Sequence, residues 1–391
     1  MKSTPFPSSL LRLTVFRCTI PLFVLCFCVR GVPPAQIASG HQAFVSPQTS
    51  TPAAVVHTYF IAADEVDWDY TPGGRNLAGI PHFEADESEG PAARRHRVYH
   101  KAIFREYTDE TFLTLKPRPR EWEHLGILGP LIRAEVGDSV RIVFRNNTHL
   151  TLNLHPHGLQ YTKDAEGAFY SDGTQGAVKK DDMVAPGMTF TYIWTVPESS
   201  GPGSEDGSSV VWLYHSNFIP SRDLNTGLVG PILVTARGQS RPDGSPKDVD
   251  REFITDFAIF DETGSWFSAR NIGRTAQPDL LRATNPALRE RHLLYSINGF
   301  IEGNLPLLTM KKGERVRWYL LSNTNEEDVH DPHWHGQTVI SYHMRVDTVY
   351  LDPLAMIVAD MVPEKEGTWL FHCHVNEHFM GGMVALFQVL P

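Results

Sequence analysis

Short runs in which apolar and polar side chains alternate recur along this chain. In the segments 140–145 (VRIVFR) and 316–320 (VRWYL), every second residue is apolar and mostly β-branched or aromatic. A period of two puts alternate side chains on opposite faces of a strand and leaves one face buried. Amphipathic helical patterns are scarce, and Gly and Pro interrupt the chain at strand-like intervals. The pattern predicts an all-β sandwich fold built from half-buried strands.

The two halves of the chain carry the same motifs in the same order. The matched pairs are Gly137-Asp138 with Gly313-Glu314, His155-Pro156-His157-Gly158 with His333-Trp334-His335-Gly336, Leu213-Tyr214-His215-Ser216-Asn217 with Leu370-Phe371-His372-Cys373-His374, and Gly227-Leu228-Val229 with Gly382-Met383-Val384. A repeat of this kind indicates two homologous sandwiches. We expect domain 1 at residues 54–238 and domain 2 at residues 248–391. The stretch from Arg237 to Lys247, rich in Gly, Ser, Pro and charge, is the expected linker.

The first 40 residues are expected to be a signal segment and a disordered start. Arg12 and Arg17 precede the apolar stretch from Ile20 to Val29, which is too short and too early for a stable membrane span. Small residues at positions 35, 38 and 39 offer cleavage sites, and a signal anchor is the minor alternative. No later run is long and apolar enough to cross a bilayer. We therefore expect a secreted or extracellular protein, or a periplasmic one if the source is bacterial.

Cysteine usage leaves a single thiol to explain. Cys18, Cys26 and Cys28 fall in the expected signal segment, which leaves Cys373 as the only cysteine of the mature chain. An intrachain disulfide is therefore excluded. A lone cysteine in an exported protein is either spare or chemically employed, and its neighbours decide between the two.

The overall charge and one short motif add little more. The net charge of −10 argues against nucleic acid as a partner and mildly favours cationic partners. The triplet at residues 146–148 (NNT) reads as a glycosylation acceptor if the protein passes through a eukaryotic secretory pathway.

Near the end of the chain, His330, Cys373, His378 and Met383 match a blue-copper ligand set. One thiolate and two imidazoles form a trigonal plane for copper, and a thioether supplies the long axial contact that helps tune the redox potential. Cys373, His378 and Met383 are five residues apart, so a short loop between two strands can bring them to one point. The alternative is a buried free thiol with a packed methionine and incidental histidines. The complete set at workable spacing favours copper.

Seven further histidines recur in the matched motifs, namely His155, His157, His215, His333, His335, His372 and His374. In a strand, residues i and i+2 point to the same face, so each His-X-His pair can present two imidazoles to one cavity. His372 and His374 flank Cys373 and project to the face opposite its side chain. The sequence therefore predicts a covalent path from a blue copper to a copper cluster at which dioxygen can be reduced to water.

Domain 1 is not expected to hold a blue copper of its own. In the repeat, the positions of Cys373, Met383 and His330 are taken in domain 1 by Ser216, Leu228 and Leu152. A hydroxyl and two aliphatic side chains do not replace a thiolate, a thioether and an imidazole as copper ligands. Domain 1 therefore supplies cluster ligands only.

Several segments outside these motifs resemble one known family. They are EYTDETF (106–112), LGILGPLI (125–132), FDE (260–262) with Ser265-Trp266, and SING (296–299). With the histidine and cysteine motifs, they make the chain similar to the ceruloplasmin and hephaestin ferroxidase family and the related coagulation-factor A domains. Those relatives carry three pairs of cupredoxin domains and this chain has one pair. It therefore resembles a two-domain multicopper oxidase, a class related to small laccases and copper nitrite reductases.

The resemblance implies a copper count, an assembly and a role for each histidine. It implies up to four coppers per active unit and a homotrimer, with each cluster between domain 1 of one subunit and domain 2 of the next. It also implies type 2 copper ligands at His155 and His333, one type 3 copper held by His157, His215 and His374, and the other held by His335 and His372.

One position departs from the family's pattern. Asn217 stands where the family has histidine, and an amide oxygen is a much poorer copper ligand than imidazole. Three outcomes are open. The cluster works but is weakened, a water or another histidine replaces the missing ligand, or the cluster lacks one copper.

The family's iron-oxidising members place carboxylates beside the blue copper. Glu290 and Glu377 fall at positions that resemble those iron ligands, and Tyr295 stands where the complete iron site has histidine. The alternative is that both glutamates are solvated surface residues, which is the commoner fate of this side chain.

Three functions compete at this point. The leading hypothesis is a four-electron oxidase that takes single electrons from Fe(II), Cu(I) or a phenol and gives them to dioxygen. The second is an enzyme like copper nitrite reductase, with a blue copper and one type 2 copper. The third is a non-catalytic binding module like the coagulation-factor A domains. Copper stoichiometry separates the third from the others, and nitrite-dependent nitric oxide production identifies the second.

Overall fold

A computed structural model describes residues 54–74, 76–80, 97–272, 286–323 and 328–391. The signal segment expected at residues 1–40 lies outside these ranges. Within them, no helix is both long and apolar enough to cross a membrane. Strands are the dominant regular structure of the described residues, which confirms the all-β prediction.

Within the described ranges, the regular structure consists of eighteen strands, four short α-helices and a few 3-10 turns. Strands β1 to β8, the N-terminal half, span Val56–Asp69, Val98–Tyr107, Ile132–Glu135, Ser139–Asn146, His155–Pro156, Thr189–Thr195, Ser209–His215 and Val229–Thr235. Strands β9 to β18, the C-terminal half, span Arg251–Asp261, Leu293–Ile297, Leu308–Lys311, Val316–Leu321, Pro332–Trp334, Val339–Ser341, Met344–Val346, Met356–Met361, Gly367–Cys373 and Val384–Leu390. Helices α1 to α4 span Pro220–Thr226, Ser268–Ile272, Pro286–Glu290 and Asn376–Met380. Short 3-10 turns span Arg120–Leu125, Lys163–Ala165, Gly176–Lys179 and Glu198–Ser200.

The two halves repeat one sheet topology. The N-terminal half has the strand orders β2-β1-β4-β6 and β3-β8-β7-β5, and the C-terminal half has β10-β9-β12-β16-β14-β15 and β11-β18-β17-β13. The parallel pairs β1/β4 and β3/β8 recur as β12/β9 and β11/β18. Each half is therefore a sandwich of two sheets, as the sequence repeat predicts.

Strands β4 and β12 occupy equivalent places but differ in burial. In β4, Arg141 and Arg145 are partly exposed while the alternating apolar side chains are buried, as a half-buried strand requires. In β12, both faces are buried, including Arg317 and Tyr319. Arg317 is accommodated because it forms ion pairs with Asp248 and Asp360. The half-buried prediction was wrong for β12, because its second face packs against the other half.

The two halves share a buried contact. One apolar cluster combines Val211, Leu213 and Leu233 of the N-terminal half with Ile254 and Leu321 of the C-terminal half. Burial of apolar surface at such a contact stabilises the pair by roughly 25 cal/mol for each Å² removed from water. The contact holds the two sandwiches in one compact unit.

A second contact comes from the segment that follows β9. Phe267 belongs to the apolar core of the N-terminal half, and Trp266 packs against that core. The Asn271 side chain exchanges hydrogen bonds with the backbone of His100 on β2, at 2.8 and 3.0 Å. The segment between β9 and β10 therefore anchors the C-terminal half in the N-terminal half.

The glycosylation motif at residues 146–148 is not accessible in the folded chain. Asn146 is fully buried, and its amide donates to the carbonyl oxygens of Leu150 and Val184 at 2.7 and 2.8 Å. Its side-chain oxygen accepts from the backbone and hydroxyl of Thr148. The side-chain amide of Asn146 closes a turn, so this asparagine has a structural role in the fold.

Candidate metal centres

The end of β17 and helix α4 bring three predicted ligands together. Cys373 is the last residue of β17, His378 lies on α4, and His330 lies next to β13. Cys373 Sγ lies 3.5 Å from His378 Nδ1 and 3.9 Å from His330 Nδ1, and all three residues are buried. We call these residues, with the fully buried Met383, the cysteine site.

Backbone hydrogen bonds fix the loop that carries the ligands. The Cys373 N–H donates to Met383 O at 3.1 Å, and the Met383 N–H donates to His378 O at 3.0 Å. The Asp331 N–H donates to Cys373 Sγ at 3.4 Å, which favours a negative charge on the sulfur. These hydrogen bonds hold the loop so that Cys373, His378 and Met383 lie near one another.

The protonation states at the cysteine site suit metal binding. Burial, together with the nearby His378, lowers the pKa of His330 to about 3, so this imidazole is neutral near pH 7. Burial raises the pKa of the Cys373 thiol to about 11, so the thiol needs a bound cation to lose its proton near neutral pH. His330 Nε2 is buried without a hydrogen-bond partner. A buried thiol, two neutral imidazoles and a thioether are the donors that a blue copper uses, so the residues fit this ion.

Four histidines form a second cluster in the C-terminal half. His333 on β13 pairs in register with His372 on β17, and His335 Nε2 lies 3.1 Å from His372 Nε2. The rings of His333 and His374 are 5.4 Å apart, and those of His372 and His374 are 5.7 Å apart. His333, His335 and His372 can place one nitrogen each within 4.8 Å of the others. We call these four residues the C-terminal histidine set.

The N-terminal half repeats this arrangement with three histidines. His155 on β5 pairs in register with His215 on β7, and His157 Nε2 lies 3.1 Å from His215 Nε2. The ring of His155 is 5.4 Å from that of His157. We call these three residues the N-terminal histidine set.

Carbonyl oxygens select the nitrogen that each set can offer to a metal. His155, His215, His333 and His372 direct Nδ1 at the carbonyl oxygens of Glu166, Ser216, Asp347 and Cys373, at 2.7 to 2.9 Å. A carbonyl oxygen only accepts, so Nδ1 carries the proton and Nε2 keeps its lone pair. Four of the seven histidines therefore present Nε2 as a ligand atom.

Burial keeps several of these imidazoles neutral. It lowers the pKa of His215 to about 3, and the neighbouring His157 adds to the effect. Burial likewise lowers the pKa of His157 and of His372 to about 4. Neutral imidazoles whose Nε2 atoms are 3.1 Å apart are an arrangement that suits a shared metal ion.

One chain does not bring the two histidine sets together. Among the described residues, the only groups of three potential ligands are His330, Cys373 and His378, and His333, His335 and His372. The ring contacts of the N-terminal set involve no histidine outside the set. Each half therefore carries part of a possible cluster.

The residue at the departing position lies at the edge of the N-terminal set. Asn217 follows β7 and is partly buried, and its backbone N–H donates to Asn153 Oδ1 at 2.6 Å. No other histidine of the described chain contacts the set at this place. The described residues therefore offer no substitute histidine at this position.

Glu377 contacts the cysteine site through Tyr295, and Glu290 does not belong to any ligand group. The Tyr295 hydroxyl donates to Glu377 Oε1 at 3.3 Å, and its buried ring lies 5.4 Å from that of His378. Glu290 ends α3 and is exposed. Neither glutamate belongs to a group of three potential metal ligands among the described residues.

Sequence comparison missed one residue that replaces a ligand of the cysteine site. Three hydrogen bonds recur in the two halves. In the first, Ser216 N donates to Leu228 O, as Cys373 N donates to Met383 O in the C-terminal half. In the second, Asn153 N donates to Ser216 Oγ, as Asp331 N donates to Cys373 Sγ. In the third, Leu228 N donates to Asp223 O, as Met383 N donates to His378 O. Asp223 therefore stands where His378 stands. It lies seven residues after Ser216, whereas His378 lies five after Cys373, so matching by spacing alone passes over it.

A large cleft lies away from these residues. Its volume is about 970 Å³, and its walls include Trp68, Trp122, Phe300, Arg118 and Arg241. None of the predicted copper ligands lines it. A metal centre needs converging ligands and not a large volume, so the donor atoms and their distances mark the candidate site.

Comparison with known families agrees with the donor sets. Two family models match the sequence, and both describe a multicopper oxidase, one over residues 125–239 and the other over residues 274–391. The chain is 38% identical to ferroxidase HEPHL1 of Homo sapiens over 343 residues, 37% identical to hephaestin of Homo sapiens over 365 and 38% identical to ceruloplasmin of Homo sapiens over 345. These alignments cover 86%, 90% and 85% of this chain. They cover 29%, 30% and 32% of the relatives, so the chain spans about a third of the length of the curated relatives it matches.

Solved structures give the fold. The multicopper oxidase mgLAC is 18% identical with a TM-score of 0.57, and covers 86% of this chain and 88% of that chain. A copper nitrite reductase from Nitrosomonas europaea is 16% identical with a TM-score of 0.56, and covers 86% of this chain and 94% of that chain. At such identities the likeness shows the fold alone, and it confirms the cupredoxin sandwiches.

Proposed function

This chain belongs to the multicopper oxidase family, and from that premise we propose that it is a secreted oxidase. It takes single electrons from a reduced substrate and uses them to reduce dioxygen to water. When bound, copper supplies one-electron redox chemistry at the cysteine site and oxygen reduction at the histidine cluster. The observation that carries the proposal is that Cys373 lies between two cluster histidines on the same strand end.

The cysteine site holds the type 1 copper in this proposal. Cys373 would supply the thiolate, His330 and His378 would supply Nδ1, and Met383 would supply the thioether. The burial of all four side chains excludes water from the metal. The N–H of Asp331 supports the thiolate with a hydrogen bond.

The two histidine sets hold the cluster. We assign His155 and His333 to the type 2 copper, His157, His215 and His374 to one type 3 copper, and His335 and His372 to the other. The short Nε2 separations within the pairs His157/His215 and His335/His372 support two imidazoles on each type 3 copper. A full cluster then brings the copper content to four per active unit.

Cys373 links the two centres covalently. Its side chain enters the cysteine site, and the backbone continues directly into His372 and His374. His372 Nδ1 also donates to the Cys373 carbonyl oxygen at 2.8 Å, which adds a hydrogen-bonded connection. The peptide between a thiolate ligand and two imidazole ligands therefore provides a short path for electrons.

The separation of the histidine sets supports assembly from several copies. A cluster that needs ligands from both sets forms where the N-terminal set of one subunit meets the C-terminal set of the next. A closed ring of three such head-to-tail contacts makes a homotrimer. Light scattering on the copper-loaded protein is expected to give three times the mass of the mature chain.

Fe(II), Cu(I) and phenols are the candidate substrates. The ferroxidase relatives and the position of Glu377 beside His378 favour Fe(II), with Glu377 and Glu290 as possible ligands of the substrate ion. The third position of the iron site is occupied by Tyr295, whose phenol hydroxyl donates a hydrogen bond to Glu377 Oε1. A phenol binds a cation less readily than an imidazole near neutral pH, so this chain is expected to bind the substrate ion more weakly than a complete iron site.

Oxygen uptake with Fe(II) tests the proposal. Four Fe(II), one dioxygen and four protons give four Fe(III) and two waters, so the expected ratio of iron oxidised to oxygen consumed is about four without release of peroxide. Uptake with a phenol but not with Fe(II) keeps the oxidase and changes the substrate. No uptake with Fe(II), Cu(I) or a phenol contradicts the oxidase proposal.

The incomplete cluster favours one second candidate. Asn217 removes one histidine, and a centre with fewer coppers is closer to an enzyme that reduces nitrite at a single type 2 copper. Nitric oxide formation from nitrite with a reduced electron donor tests it. The full His372-Cys373-His374 arrangement makes the oxidase the better-supported function.

A further inference from the structure

The place of the cysteine site in the N-terminal half is filled by a hydrogen-bonded carboxylate. Asp223, on α1, stands at the position of His378 and is completely buried. Ser216 Oγ donates to Asp223 Oδ2 at 2.7 Å, where the C-terminal half has a thiol and an imidazole 3.5 Å apart. A hydrogen bond therefore joins the two positions that a copper ion joins in the other half.

The two oxygens of this carboxylate have different partners. Oδ2 also accepts from the backbone N–H groups of Phe218 and Ile219, at 2.9 and 3.1 Å. Oδ1 accepts from the indole N–H of Trp266 at 2.7 Å. Oδ2 thus fixes the loop that follows His215, and Oδ1 accepts a hydrogen bond from a residue of the C-terminal half.

We propose that Asp223 is a positioning residue for the N-terminal part of the copper cluster. Its Oδ2 holds the segment from Ser216 to Ile219, and thereby the orientation of His215 and the location of Asn217. This role rests on the proposed function, because it presumes that His215 binds a cluster copper.

The chemistry of the partners requires an ionised carboxylate. All four groups around Asp223 are donors, and only an acceptor with two oxygens satisfies them. Burial raises the pKa of Asp223, while the donors from Trp266 and Ser216 lower it. Hydrogen bonds from several donors to one buried anion are among the stronger ones in proteins, so the loop is held firmly.

A neutral amide at this position breaks one of the two sets of contacts. In Asp223→Asn, the side-chain NH2 group takes the place of one carboxylate oxygen. It then faces either the N–H groups of Phe218 and Ile219 or the indole N–H of Trp266, and two donors cannot hydrogen-bond to each other. The matched control is Trp266→Phe, which removes the donor to Oδ1 and leaves all three donors to Oδ2. The two variants therefore separate fixing of the loop from contact between the halves.

Amide hydrogen exchange in the copper-free protein is the first readout. Asp223→Asn is expected to speed exchange at Phe218 and Ile219 by about 10-fold or more, equivalent to a loss of about 1.4 kcal/mol per decade. Trp266→Phe is expected to leave these two amides within about 2-fold of the original protein. Equal protection of both amides in Asp223→Asn and the original protein contradicts the proposal.

Copper binding is the second readout. Loss of a residue that orients a metal ligand typically costs 10-fold to 100-fold in metal affinity, and we expect about this loss at the cluster of Asp223→Asn. The blue absorption of the cysteine site serves as the internal standard and is expected to be unchanged. A cluster affinity equal to that of the original protein overturns the role, even if exchange increases.

Two further results keep the test decisive. If Asp223→Asn does not fold, Ser216→Ala carries the test, because it removes one of three donors to Oδ2 and is expected to speed exchange at Phe218 and Ile219 by a smaller factor. If the original protein binds only the blue copper, the cluster proposal fails. The exchange data then still decide whether Asp223 holds this loop.

Discussion

The two halves of the molecule share the core of one sheet topology, but they have different side-chain chemistry at one equivalent place. In the C-terminal half, Cys373 and His378 approach each other as two metal ligands. In the N-terminal half, Ser216 and Asp223 take the same positions and are joined by a hydrogen bond. The surrounding backbone hydrogen bonds are alike in both halves. In the N-terminal half, the buried carboxylate of Asp223 therefore fixes the loop that corresponds to the ligand loop of the C-terminal half.

Removing the thiol is expected to have the largest effect. Cys373→Ser gives the C-terminal half the hydroxyl that the N-terminal half already has at Ser216, so the fold is expected to persist. The blue absorption and oxygen uptake are expected to vanish, because a hydroxyl does not replace a thiolate on copper. Visible spectroscopy and oxygen electrode measurements check this. Ser216→Ala is the matched control for the blue band alone, which it is expected to keep, and a blue band that survives in Cys373→Ser contradicts the assigned ligand set.

Removing a cluster histidine is expected to separate the two centres. His157→Ala takes one imidazole from the N-terminal set, which lies far along the chain from the cysteine site. Oxygen uptake is expected to fall by at least about 100-fold while the blue absorption remains. His343→Ala is the control, since this histidine is exposed and belongs to neither set. Full oxygen uptake in His157→Ala removes the N-terminal half from the cluster.

Restoring the missing imidazole is expected to have an effect in the opposite direction. Asn217→His supplies the ligand type that the C-terminal half has at His374, and imidazole binds copper better than an amide. Cluster copper is expected to bind about 10-fold tighter, or about 1.4 kcal/mol. Copper titration with electron paramagnetic resonance detection measures this. If the affinity and oxygen uptake do not change, position 217 does not face the cluster.

The contact between the halves is expected to weaken modestly with acid. His124 is buried between them, its Nδ1–H donates to Glu121 O, and its Nε2 accepts from the Ile254 N–H at 3.2 Å. Burial lowers the pKa of His124 to about 4. The unfolded chain therefore binds this proton more readily, and the stability that His124 contributes is complete above about pH 6.5 and is lost as the pH falls towards 4.

Urea unfolding of the copper-free protein at several pH values tests this dependence. Burial lowers the pKa of other histidines such as His215 and His330 in the same direction, so the comparison is between the original protein and His124→Gln. The variant is expected to lose less stability than the original protein between pH 7 and pH 5. Identical losses in the two proteins contradict the role of His124.

The sequence predicts the repeat well because the repeat depends on local patterns. The alternation in β4 follows from strand geometry. Properties that depend on contacts between distant segments are not readable in this way. Burial of both faces of β12 requires knowledge of the other half.

The candidate site shows the same limit. The four residues of the cysteine site could be named from spacing, whereas Asp223 could not, because the N-terminal loop is two residues longer than its counterpart. Two of the four carbonyl partners of the histidines also come from other loops, as the contact of His333 with Asp347 illustrates.

The presence of a shared copper cluster is tested by the copper content per mature chain, measured together with the visible and electron paramagnetic resonance spectra. About four coppers per chain are expected, one with strong thiolate-to-copper absorption, one with a type 2 signal and two coupled and silent. Only one copper, of the blue type, in the fully loaded protein would contradict a shared cluster. The absence of any bound copper would contradict the whole account.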